Sequence, residues 1–134
     1  YLGDHAGQTP ENDDKLMVAS LMGGLSLTYS EVGVCHALSY GLSKILGEKH
    51  CYANCIAFQH LEDYYTSGVA EFKTMLQKHN VTLPQGLSNN WTDEQITAMA
   101  HVAYNLPHMW NHAIGTDWKE KITIDTIKAL YKRM

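Results

Sequence analysis

The chain has 134 residues, 45% of them hydrophobic, which suffices for one core and gives no reason to expect a second domain. A net charge of −4, with ten Lys and Arg residues spread thinly, leaves no footprint for a nucleic-acid backbone or an anionic membrane surface. No apolar run approaches the ~20 residues of a membrane span, and the opening YLGDHAGQTPENDD is polar where an export signal is basic and then apolar, so the sequence predicts a cytoplasmic protein.

Helical periodicity recurs along the chain and no useful alternating pattern interrupts it, so the expected fold is all-α, a helical bundle. The first helix is expected over 12–29: Asn12, Asp13 and Asp14 supply a cap and negative charge at the positive end of the dipole, and Leu16, Met17, Leu21 and Leu25 recur at helical spacing. Gly23-Gly24 in its middle would cost a helix ~1 kcal/mol per glycine, which suggests close approach of another backbone. A second helix, 34–46, buries Leu38, Leu42 and Ile45 and stops at Gly47. A third runs over 50–65 with Ala53, Ile56, Ala57 and Leu61 inside, and a fourth over 69–79 presents Phe72, Met75 and Leu76. HNVTLPQGLSNNW reads as a loop. Thr92 with Gln95 forms a capping box for a helix carrying Ile96, Met99, Ala100 and Ala103 that stops near Pro107. The last helix, 123–133, has Ile124, Ile127, Leu130 and Tyr131 inside and Lys132-Arg133 at its negative end.

Cysteine is present three times, an odd number, and Cys51 and Cys55 share a helix face near the upper limit for bridging, so free thiols in a reducing compartment are expected. Asn80-Val81-Thr82 and Asn90-Trp91-Thr92 match the glycosylation sequon, a pattern that needs a secretory route. The chain begins at Tyr1 on a polar stretch, which predicts a piece of a longer protein.

His36 and His50 bracket a run holding Tyr40, Gly41 and Gly47. Neutral imidazole is a good ligand for zinc or iron, but fourteen positions (50 − 36) along a straight helix would separate the pair by about 21 Å. Gly47, Glu48 and Lys49 can reverse the chain and stand His50 at the start of an antiparallel neighbour. Spacing alone leaves two ordinary helix-end histidines as the default. His5, His60, His79, His101, His108 and His112 lack even this arrangement.

The run GVCHALSYGLSKILGEKHC resembles the C-terminal helical half of the iron-containing, or group III, alcohol dehydrogenase family, whose motif is broadly G-x-x-H-A-x-x-H-x-L-G followed by P-H-G. DDKLMVASLMGGLSLTYSEVGVCHALSYGL is similar in particular to the branch that oxidises the terminal alcohol of the sugar acid 3-deoxy-D-manno-octulosonate in Gram-negative lipopolysaccharide biosynthesis. The likeness covers most of the chain, strongly over 13–75. It implies a dehydroquinate synthase-like helical domain spanning 1–134, with His36 and His50 as ligands of a divalent metal, Fe or Zn. It also implies NAD or NADP bound mainly by an N-terminal domain outside this chain, a small alcohol or sugar-acid substrate, and a homo-oligomer such as a dimer.

Tyr40 stands where the family has a histidine, and Cys51 where it has a glycine. Tyr40 shares a helix face with His36, so its phenol could point toward a substrate oxygen or the nicotinamide as a catalytic residue; the alternative is a core-edge tyrosine. No D-x-x-x-H stretch precedes His36 to supply the family's other two ligands, and no Gly-rich βα unit is present for a dinucleotide. The rival expectation is a non-enzymatic helical module whose structural zinc is held by His50, Cys51 and Cys55 with Cys35 or His36.

Overall fold

A computed structural model describes residues 8–134; residues 1–7 of the polar opening, His5 among them, lie outside the described residues. Those residues are all-α with no strand, the class the sequence predicts, and form eight helices: α1 (Pro10–Tyr29), α2 (Val34–Leu46), α3 (His50–Phe58), α4 (Thr66–Lys78), α5 (Asp93–Tyr104), α6 (Pro107–Ile114), α7 (Trp118–Lys121) and α8 (Ile124–Tyr131). A short 3-10 turn, Leu87–Asn90, precedes α5.

The core is built around α2, which packs on α3, α5 and α6, while α5 packs in turn on α8. Val34, Ala37, Leu38 and Leu42 of α2 are fully buried, as are Met99, Ala100 and Ala103 of α5 and Ile127 and Tyr131 of α8. Each large apolar side chain taken from water contributes about 1.5–3 kcal/mol, so this cluster is the main stabilising element. Gly41 allows the closest approach. A Cβ there would run into the Tyr131 hydroxyl and come within 2.9 Å of the Met99 carbonyl oxygen. In its place the Tyr131 hydroxyl donates to the Leu38 carbonyl at 2.8 Å, which ties α8 to α2 through a buried hydrogen bond. Trp110 and Trp118 close the other end with stacked rings 5.9 Å apart, and the Trp110 indole donates to the Ala103 carbonyl at 2.8 Å.

Several boundaries differ from the sequence-based expectation. The cap of α1 is Thr9, whose hydroxyl accepts from the Asn12 amide, with Pro10 opening the helix, so Asn12 lies inside it. Leu16, Met17, Leu21 and Leu25 are 46–72% exposed, and nothing among the described residues lies within 4 Å of a Cβ built at Gly23 or Gly24. The expected close backbone is therefore not found there, and α1 stands outside the core. The third helix ends at Phe58, well before 65, because the chain tightens into successive turns in which His60 and Leu61 donate to the Ala57 and Phe58 carbonyls. Those turns return the Tyr65 hydroxyl to the start of α2, where it accepts the Val34 amide at 3.1 Å. In α4 only Val69 is buried; Met75 is exposed. Pro107 opens α6 as well as following α5, and neither α6 nor α7 was expected. The Thr92–Gln95 capping box forms as predicted.

Candidate metal centre

The end of α2 is set by Gly47, whose left-handed φ of 75° lets its amide cap the Ser43 carbonyl. Glu48 and Lys49 then lead into α3, and His50, its first residue, comes level with His36 and Tyr40 of α2. The imidazole centroids of His36 and His50 are 5.2 Å apart, and the Tyr40 and His50 rings are 5.5 Å apart. All three residues singled out from sequence thus meet in one place.

His36 is half-buried and His50 exposed. Partial burial, and next to it the neighbouring His50, hold His36 below the ordinary imidazole range, so at neutral pH it presents a lone pair. The Tyr40 ring is 42% exposed, and its hydroxyl takes part in no hydrogen bond among the described residues. That leaves the phenol free to meet a ligand.

Beside the pair opens a groove of about 560 Å³, lined by Cys35, His36, His50, Cys51, Asn54, Cys55, Phe58 and Phe72. Its walls come from α2, α3 and α4, and the Phe58 and Phe72 rings meet edge to face at 5.3 Å at the far end. No lysine or arginine lines it. The histidines are legible in the sequence; Asn54, Phe58 and Phe72 belong to no motif there that marks them as site residues. For Asn54 the available signal was its place one helical turn after His50.

The pair suits a divalent ion in part. Two rings sharing a tetrahedral ion through nitrogens at about 2.0–2.1 Å would have centroids about 5 Å apart, close to the separation found. No group of three or more His, Cys, Asp and Glu that could hold a metal forms among the described residues. The same finding bears on the rival Cys/His zinc arrangement, which is not assembled. Burial and then the nearby Cys55 push the Cys35 thiol up to about 12, and burial and then Cys51 raise Cys55. Both thiols are therefore held protonated at neutral pH in the metal-free protein. The three cysteines are free. No helix among the described residues is long and apolar enough to cross a membrane. No protein-family model matches the chain.

Proposed function

We propose that the chain is the helical, metal-binding part of a metal-dependent, NAD(P)-linked alcohol dehydrogenase of the iron-containing family, with a dehydroquinate synthase-like fold. One observation carries the reading: His36 and His50, the two positions that match the family's ligand motif, lie side by side across the α2–α3 turn. The apolar residues exposed along α1 support it further, since a helix that is apolar on several faces suits the interior of a larger helical body.

On this reading His36 and His50 hold a divalent ion, iron or zinc. When bound, it supplies Lewis acidity to an alcohol oxygen. The protein's own groups do the rest. Neutral His36 needs no deprotonation to serve as a ligand, Tyr40 offers a hydroxyl to receive or pass on a proton, and Phe58 and Phe72 give the groove an apolar wall. Nicotinamide cofactor, NAD or NADP, is held mainly by a dinucleotide-binding domain outside these residues. The substrate is the primary alcohol of a sugar acid such as 3-deoxy-D-manno-octulosonate; with no cation lining the groove, this chain meets its hydroxyl end and leaves the carboxylate to the other domain. The enzyme works in the cytoplasm as a homo-oligomer.

The test is enzymatic. The 134-residue chain alone should reduce neither NAD nor NADP with any alcohol, since two imidazoles leave an ion largely hydrated. Joined to a family dinucleotide-binding domain that carries an aspartate and a histidine ligand, it should do so with sugar-acid alcohols and lose the activity with His36→Ala. Turnover by the chain alone, or joined activity indifferent to His36 and His50, overturns the reading.

A further inference from the structure

Asn54 sits one turn after His50 on α3, and its side chain reaches back to it twice. Its amide nitrogen lies 3.0 Å from the His50 carbonyl oxygen and 3.1 Å from the His50 ring Nε2. A carbonyl oxygen only accepts, so the Asn54 atom between these two partners is the NH₂ donor and cannot be the amide oxygen. With one hydrogen on the carbonyl and the other on the ring, Nε2 is an acceptor. The proton of neutral His50 is then on Nδ1. On its other side Asn54 meets α2: the Cys35 thiol donates to the Asn54 backbone oxygen at 3.4 Å and lies 3.6 Å from its amide oxygen. Cys35 adjoins His36 in the chain, so Asn54 links the two histidines' helices at the level of the pair.

We propose that Asn54 is a positioning residue that fixes His50 in the Nδ1–H tautomer and occupies, with its amide, the Nε2 lone pair that a divalent ion would take. It acts as a placeholder: it keeps the ligating nitrogen unprotonated and aimed, and yields it on binding. Displacement is eased because the same amide nitrogen keeps its bond to the His50 carbonyl when it lets go of the ring. The role of the lone pair rests on the reading of His36 and His50 as ligands; the tautomer assignment does not.

The experiment therefore has two arms. In metal-free protein at mildly alkaline pH, nitrogen-detected NMR of the histidine rings should show His50 with Nδ1 protonated in the wild type. It should show a tautomer mixture in Asn54→Ala and the Nε2–H form in Asn54→Asp, whose carboxylate can only accept. Asn54→Asp is nearly isosteric and serves if the alanine variant does not fold. A wild-type His50 with Nε2 protonated, or an unchanged tautomer in the variants, overturns the proposal. In the second arm Zn²⁺ alone is titrated: Asn54→Ala should bind it roughly fivefold more tightly, the worth of one released hydrogen bond. Unchanged or weaker binding in that variant overturns the placeholder role. If His36→Ala leaves zinc affinity untouched, the ligand-pair reading has failed while the tautomer result stands by itself.

Discussion

Gly41 of α2 and Tyr131 of α8 interlock: the missing side chain of one is the space that holds the hydroxyl of the other, which donates to the Leu38 carbonyl at 2.8 Å. This contact between residues far apart in the chain fixes α8 against the helix that carries His36 and Tyr40. Gly41→Ala gains ~1 kcal/mol of helix propensity but forces Tyr131 out and crowds the Met99 carbonyl, so the net expectation is a loss of about 2 kcal/mol in denaturant unfolding. Combining it with Tyr131→Phe should recover part of that loss, because the two changes relieve one shared conflict.

Leu38 and Leu21 should respond oppositely to truncation. Leu38 is fully buried, and Leu38→Ala should cost about 2–5 kcal/mol. Leu21 is 62% exposed on α1, and Leu21→Ala should stay within ~0.5 kcal/mol by the same denaturant measurement.

That contrast marks how far the sequence could be read. Periodicity located α2, α5 and α8 because their apolar stripes match what they bury: Leu38 and Leu42, Met99 and Ala103, Ile127 and Leu130. The same spacing located α1 through Leu16, Leu21 and Leu25, yet these are exposed, since spacing reports a helix and says nothing of whether a neighbour covers its apolar face. The short α6 and α7 were hidden because Pro107 signals a stop and a start alike, and four to eight residues carry too little periodicity to settle which. At the site, the Gly47 turn made the approach of His36 and His50 foreseeable. The Asn54 contacts were not, because they depend on how α3 is rotated against α2.

Tyr40→Phe separates chemistry from packing. Among the described residues the hydroxyl has no hydrogen bond, and Tyr40 is 42% exposed, so stability should move by less than about 1 kcal/mol in a thermal melt. In the enzyme joined to its dinucleotide-binding domain, kcat should fall roughly 10²-fold or more, the usual scale for a positioned acid–base group. A kcat within a few-fold of the parent would make Tyr40 a packing residue.

His60 sets an acid limit on the fold. Burial chiefly lowers its pKa, with Glu62 opposing and Lys73 and Arg133 acting the same way as burial, and its buried Nε2 has no hydrogen-bond partner among the described residues. The folded state therefore binds this proton less readily than the unfolded chain, whose imidazole titrates near about 6.5. Its contribution to stability is present above that value and is lost as pH falls through the folded-state pKa. His60→Leu should flatten the decline in urea midpoint between neutral and mildly acidic pH.

The central claim, that His36 and His50 form a metal-binding pair, is tested most directly by titrating Co²⁺ into the 134-residue chain at mildly alkaline pH and following its visible absorption. The account predicts weak one-to-one binding without a thiolate charge-transfer band. That binding should drop about tenfold or more in both His36→Ala and His50→Ala and persist in the Cys51→Ala/Cys55→Ala double variant. A thiolate band that vanishes with the cysteines, together with binding unaffected by His36→Ala, would contradict it.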